Sequence, residues 1–79
     1  MNPRVKNVKP ENNYTLLLTF TNGEVRRFDM KPYLEKGLFK ELKEESLFQT
    51  AHPDGLSVEW ENEAALCPDT LYLGSVAVE

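Results

Sequence analysis

The chain has 79 residues, a length that suits a single domain (residues 1–79) with one small core. Its net charge of −4 argues against a nucleic-acid-binding surface over the whole domain, and its one cysteine and one histidine exclude an internal disulfide and most self-contained zinc sites. Because no apolar run is long enough to cross a membrane and none follows the first residues, we expect a cytoplasmic protein with no membrane span and no signal peptide.

The first third of the chain predicts three antiparallel strands. Residues 4–9 are rich in basic side chains and are followed by Pro10, a pattern typical of an edge strand. Residues 14–20 alternate apolar side chains on one face, which makes them the strongest strand in the sequence. Residues 24–29 are the return strand of a hairpin with an Asn-Gly turn at residues 22–23.

The register of this hairpin depends on the length of its loop. A two-residue loop would place Leu18 opposite Arg27, which is an unfavourable pair. A three-residue loop with a glycine bulge places Leu16 opposite Phe28 on one face of the sheet. We therefore predict the three-residue loop.

Short helices are predicted for the next segment. Asp29 is placed to cap a turn over residues 30–34, and Gly37 is placed to end it in the left-handed conformation. An amphipathic helix of about two turns follows, and Ser46 is placed to cap one further turn through Phe48. The apolar face of the two-turn helix consists of Leu38, Phe39 and Leu42.

The last third predicts a second hairpin, with an Asp-Gly turn at residues 54–55. Its strands are residues 49–53, at an edge because they include a proline, and residues 56–60, in which apolar and polar side chains alternate. Residues 68–74 predict a helix with proline at its first position and aspartate in its first turn. Residues 75–79 are predicted to be a short strand or a frayed tail.

Together these elements predict an α+β fold. It consists of a small antiparallel sheet of about five short strands in two hairpins, with two or three short helices on one face. We expect one contiguous core. Its predicted members are Leu16, Leu18, Phe28, Phe39, Leu42, Val58 and Trp60.

Charge is unevenly divided along the chain. Residues 1–40 contain eight basic and four acidic side chains, whereas residues 41–79 contain one basic and nine acidic side chains. Such asymmetry indicates either a dipolar surface that orients partners or charges that mix because strands from both halves pair. We favour mixing.

Two groups of residues could carry chemistry or nucleic-acid binding. Cys67 could act as a nucleophile with His52 as its base and Asp69 to orient that base, although a free cysteine more often packs as a small hydrophobe. Arg26 and Arg27 could contact nucleic acid, but one arginine pair without a second aromatic platform is a weak indication. We therefore expect no enzyme activity, no cofactor, no metal site and no direct nucleic-acid binding.

Five parts of the sequence, taken in order, carry a resemblance to a known family. They are residues 20–29 (FTNGEVRRFD), residues 37–42 (GLFKEL), Phe48, residues 60–62 (WEN) and residues 66–72 (LCPDTLY). Their order and spacing are similar to those of the prokaryotic family of domains of unknown function numbered 2442 (DUF2442), from about Val5 to Tyr72.

The resemblance implies a small α+β domain without an established activity. By this resemblance, family members look like small stand-alone proteins or like domains fused to helix-turn-helix regulators. Many are encoded beside another uncharacterised family, numbered 4160 (DUF4160), in an arrangement similar to toxin–antitoxin pairs. Glu61, Glu63 and Ala65 stand where the family commonly has proline, glycine and aspartate. The missing aspartate implies a structural or binding role. We expect no helix-turn-helix in 79 residues, so that any DNA contact would come from elsewhere.

These observations predict a non-enzymatic protein-binding module. The form we consider first is an antitoxin-like member of a two-protein system, with a small basic DUF4160-like protein encoded nearby as its partner. An enzyme or accessory site built on Cys67 and a regulator that contacts nucleic acid through Arg26 and Arg27 remain alternatives. The candidate interface combines acidic side chains with aromatic anchors. It consists of Glu59, Trp60, Glu61, Glu63, Asp69 and Tyr72.

Overall fold

The computed structural model describes residues 2–55 and 57–78, which form seven short strands and five short helices. The strands are β1 (Val5–Glu11), β2 (Thr15–Phe20), β3 (Val25–Asp29), β4 (His52–Asp54), β5 (Ser57–Glu59), β6 (Ala65–Leu66) and β7 (Val76–Ala77). All pairings are antiparallel: sheet A has the order β1-β2-β3-β7 and sheet B the order β4-β5-β6.

The predicted α+β class is confirmed, but the strands are divided between two sheets, whereas the sequence predicted one. Residues 30–51 explain the division, because they contain helices and turns that lead the chain away from β3 before β4 begins. The helices are three 3-10 helices (Asn12–Tyr14, Lys31–Tyr33 and Gly37–Lys43) and two α-helices, α1 (Glu45–Phe48) and α2 (Pro68–Gly74). In the described part of the chain, no helix has the length and apolar character needed to cross a membrane.

The first hairpin has the predicted register. Leu16 pairs with Phe28 across β2 and β3, and three residues form the loop between Phe20 and Glu24. Gly23 adopts a φ of 91°, a conformation that costs glycine little and most other residues a good deal. β1 is an edge strand as predicted, although it continues through Pro10 to Glu11.

Residues 37–43 form a 3-10 helix, whereas an α-helix was predicted. The period of three places Phe39 and Leu42 on one side, where Leu42 is fully buried, and leaves Leu38 49% exposed. The prediction that Leu38 lies on the buried face was therefore wrong. Ser46 does not cap the next turn, because α1 already begins at Glu45; its hydroxyl instead donates to the Glu44 carboxylate at 3.4 Å.

The second hairpin is shorter than predicted. Its first strand starts only at His52, because residues 49–51 belong to the turn that follows α1. The position of this strand at a sheet edge is confirmed, and Gly55 at the tip has a φ of 63°. Leu56, which was assigned to the return strand, lies outside the described residues. The predicted bounds of α2 agree with the structure, and residues 75–79 contain the short strand β7.

One hydrophobic core joins the two sheets. All predicted core residues belong to it except Phe39, which is partly buried and packs against it. Leu16 and Leu18 point into the core, whereas Leu17, between them on β2, lies on the outer face of sheet A and is partly exposed. An unbroken series of ring contacts, with centroids 5.3–6.3 Å apart, runs from the 3-10 helix before β2, through Trp60 at the end of β5, to Phe28 on β3. It consists of Tyr14, Phe48, Trp60, Phe39, Tyr33 and Phe28.

Candidate functional site

The two sheets separate the charges of the chain. Sheet A takes β1, β2 and β3 from residues 5–29, and sheet B takes all its strands from residues 52–66. Only the two-residue strand β7 brings the second half of the chain into sheet A. Strand pairing therefore mixes the two halves only at β3 and β7, which is less than the interpretation favoured from the sequence expected. Acidic residues accumulate on sheet B and in the turn between β5 and β6. No lysine or arginine occurs between residues 44 and 79.

We define the acidic surface as Asp54, Glu59, Glu61 and Glu63, around His52. His52 pairs directly with Glu59 across β4 and β5, and Asp54 lies two residues further along on the same face. The Asp54 carboxyl is close enough to share a hydrogen bond with Glu59, and this contact, followed by partial burial, raises the pKa of Glu59 above its ordinary value of 4.5. Two neighbouring carboxylates repel each other, so the pair holds a proton more readily than either group alone.

Among the described residues, His52 is the only basic side chain that forms an ion-pair contact with these carboxylates. Its Nδ1 lies 2.9 Å from the Thr50 carbonyl oxygen, which can only accept, so Nδ1 carries the hydrogen. In the neutral ring Nε2 then presents its lone pair to Glu59 Oε1 at 3.8 Å. Glu61 Oε2 lies 3.8 Å from Nδ1, and the imidazole is 41% exposed. Solvent therefore reaches a ring that has a carboxylate on either side.

The six residues of the predicted interface do not form one patch. Glu59 and Glu61 each place a carboxylate oxygen 3.8 Å from a ring nitrogen of His52. Glu63, whose negative charge contributes to the raised pKa of Glu59, adopts a φ of 72° in the turn that closes on Trp60. Trp60 itself is only 1% exposed, and its Nε1–H donates to the Phe48 carbonyl oxygen at 3.0 Å. Trp60 therefore lies in the core, as predicted, and is not available as an anchor of the predicted interface, because its strand ends inside the core shared by both sheets.

Asp69 and Tyr72 lie on α2, which packs against sheet A. Asp69 accepts a 3.4 Å hydrogen bond from Asn2. The Tyr72 hydroxyl donates to Glu24 Oε2 at 2.7 Å, a contact that raises the pKa of the tyrosine and lowers that of the glutamate. Tyr72 is thus committed to a contact within the domain. His52 and Asp54, in contrast, belong to the acidic surface and were not assigned to it from the sequence. Pairing the strands across residues 54–55 could have found them.

Arg26 and Arg27 lie on opposite faces of β3 and both have internal partners. Arg26 donates to Ser75 Oγ at 2.8 Å, to the Ser75 carbonyl at 2.7 Å and to Glu24 at 2.9 Å, and its guanidinium lies 4.5 Å from the centre of the Tyr72 ring. Arg27 forms a 2.9 Å ion pair with Glu11 that lowers the pKa of this carboxyl. The two side chains therefore do not form a joint surface for a nucleic acid.

Cys67 is exposed, so the interpretation of it as a small buried hydrophobe was wrong. Its Sγ lies 3.2 Å from Thr70 Oγ1, and hydrogen bonds from the Thr70 side chain and backbone lower the pKa of the thiol. His52 cannot serve as its base, because Cys67 follows β6, which is two strands away from β4, or about 10 Å across the sheet. The structure does not assemble the predicted dyad.

Cys67 is expected to react with iodoacetamide at neutral pH faster than a thiol with the ordinary pKa of 9.0, because more of it is thiolate. Thr70→Val keeps the side-chain shape but removes the hydroxyl, and should raise the thiol pKa and slow the reaction. The rate is followed against pH by mass spectrometry, with Thr19→Val on sheet A as the matched control. A wild-type midpoint at or above 9.0 would contradict the expectation.

Among the residues that the structure describes, no group of three or more His, Cys, Asp or Glu side chains could hold a metal ion. A family model described as "Protein of unknown function (DUF2442)" matches residues 5–77. No curated protein matches the chain, and no solved structure does.

Proposed function

Since the chain belongs to the DUF2442 family, whose function is unknown, we propose from its own surface that it is a non-enzymatic protein-binding module with a basic partner. The observation that carries the proposal is the accumulation of carboxylates on sheet B. A hydrogen bond with the Asp54 carboxyl, then desolvation and the negative charge of Asp54, raise the pKa of Glu59, and no lysine or arginine ion pair among the described residues offsets these carboxylates. A basic partner would relieve this repulsion.

Complementary fields mainly speed and select encounters between proteins. A small acidic domain is therefore suited to bind and mask a small basic protein. We extend the proposal to an antitoxin-like role in the cytoplasm, with a DUF4160-like protein encoded nearby as the partner. The negative charge of the acidic surface supports this role. Gene context is an inexpensive check, because a short basic protein encoded by a neighbouring gene would favour it.

The proposal predicts that reversing Glu61 and Glu63 to Lys weakens partner binding without unfolding the domain. Both side chains are exposed, and the hydrogen bond from the Glu61 backbone to Thr50 does not depend on the substituted side chain. The melting temperature should therefore change little. At low salt the association rate should fall by about tenfold or more, because electrostatic steering contributes on this scale.

The experiment is affinity capture from the native host, followed by kinetics with the purified captured protein at several salt concentrations. The control reverses Glu44 and Glu45 to Lys, which changes the net charge by the same amount outside the acidic surface. A basic protein that binds wild type and the control, but not the Glu61/Glu63 variant, supports the proposal. A partner that binds all three at equal rates, or that depends on Arg26 and Arg27, contradicts it.

A further inference from the structure

We propose that His52 makes binding at the acidic surface pH-dependent, with the neutral imidazole permitting binding and the protonated imidazole weakening it. The inference rests on the proposed function and names its regulation. Histidine is the side chain that ordinarily changes charge between about pH 8 and pH 5. His52 is the one histidine of the chain, and it lies within the surface that would meet the partner.

The geometry explains how one proton would act. The Nδ1–H group is held by the Thr50 carbonyl, so the incoming proton must bind Nε2, which faces Glu59 Oε1 at 3.8 Å. The ring then carries a full positive charge that is also 3.8 Å from Glu61 Oε2. Protonation thus converts a lone pair facing a carboxylate into an ion pair, and it places within the surface the charge that a partner's lysine or arginine would supply.

The carboxyl pair changes in the same direction. Because the pKa of Glu59 is raised, chiefly by Asp54, Glu59 takes up its proton at a higher pH than an ordinary glutamate. Protonation of Glu59 removes a negative charge from the same surface to which protonation of His52 adds a positive one. Both changes neutralise the acidic surface and should reduce its attraction for a basic partner.

Charged groups on the neighbouring elements do not cancel this effect. Glu63, in the turn after β5, adds negative charge near Glu59. β1 runs beside β4; its Lys6 and Lys9 form no ion pair with the acidic surface in the described structure, and its Glu11 pairs with Arg27. β6, on the other side of β5, contributes no charged residue. None of these neighbouring groups thus forms an ion pair with the acidic surface among the described residues.

The test uses a labelled decalysine peptide as the basic probe, because lysine stays protonated from about pH 8 to about pH 5.5 and any pH dependence then belongs to the domain. Its association rate with the full chain is measured by stopped flow at constant ionic strength. For wild type we expect a decrease of about threefold or more as pH falls across this range. The Glu61→Lys/Glu63→Lys variant establishes that the probe binds at the acidic surface.

Two substitutions hold the charge at position 52 constant. His52→Asn keeps a donor for the Thr50 carbonyl and should remain fast until Glu59 takes up its proton. His52→Lys is always protonated there and should be slow even at pH 8. As an independent check of the geometry, Asp54→Asn should lower the pKa of Glu59, which is read from the carboxyl carbon by NMR.

The outcomes separate this inference from the proposed function. If wild type and His52→Asn show the same pH profile while the Glu61/Glu63 reversal still abolishes binding, the role of His52 is overturned and the acidic interface stands. If decalysine binds neither wild type nor any variant at any pH, both proposals fail. An unchanged Glu59 pKa in Asp54→Asn would overturn the coupling of the two carboxyls.

Discussion

Leu18→Ala is expected to lower the free energy of unfolding by about 2–5 kcal/mol, as is typical for removing a leucine side chain from a core. Leu18 has no exposed surface. It lies on β2, which pairs with β1 on one side and with β3 on the other. A domain of this size has a total stability on the order of 5–10 kcal/mol, so the variant should retain only part of its folded population on mild heating.

Leu17→Ala is the matched control, because it is the same substitution one residue earlier on the same strand. Its side chain lies on the outer face and is only partly buried, so the cost should be well below that of Leu18→Ala. Urea and thermal unfolding followed by circular dichroism measure both. Equal losses for the two variants would contradict the assignment of the faces of sheet A.

Trp60→Ala should be the other strongly destabilising change, at about 3–5 kcal/mol. The ring packs between Phe39 and Phe48, and its Nε1–H satisfies the Phe48 carbonyl. Trp60→Phe retains a ring in this position but loses the Nε1–H donor. Because the Phe48 carbonyl still accepts from the Ala51 N–H at 3.3 Å, we expect a loss of about 0.5–1.5 kcal/mol for the one hydrogen bond. We expect the urea midpoint to decrease from wild type to Trp60→Phe and again to Trp60→Ala.

This series also distinguishes a core tryptophan from an interface tryptophan. A residue that serves only as a binding anchor could be truncated with little effect on folding. If Trp60→Ala melted like wild type and lost its partner, the indole would have to lie on the surface. The buried position instead predicts that stability changes first, and that Trp60→Phe binds like wild type wherever it is folded.

The structure explains why sheet A could be predicted and much of the remainder could not. Residues 14–29 contain a two-residue alternation and a loop with few allowed geometries, so local chemistry determines both the strands and their register. Residues 37–43 show an apolar spacing that is compatible with an α-helix and with a 3-10 helix. The choice between them depends on tertiary contacts, here those of Phe39 with Trp60 and Tyr33.

The candidate site was only half predictable for a related reason. Clustered glutamates are visible in the sequence, but their neighbours across a hairpin are not until the register is known. Trp60 ends an alternating strand, a pattern that placed it both in the predicted core and in the predicted interface, and its packing against Phe48 decides between the two. The division of the strands into two sheets, which no local pattern predicts, is what buries Trp60.

The placement of β7 has a consequence for the order in which the domain assembles and opens. β1, β2 and β3 are joined by short connections, whereas β7 reaches β3 only after residues 30–75 have been arranged, and closing a longer segment costs more chain entropy. β7 is held by two paired residues and by the contacts of Arg26 with Ser75. The C-terminal strand should therefore join last and detach first, so that brief openings free it while the three-stranded nucleus of sheet A keeps its hydrogen bonds.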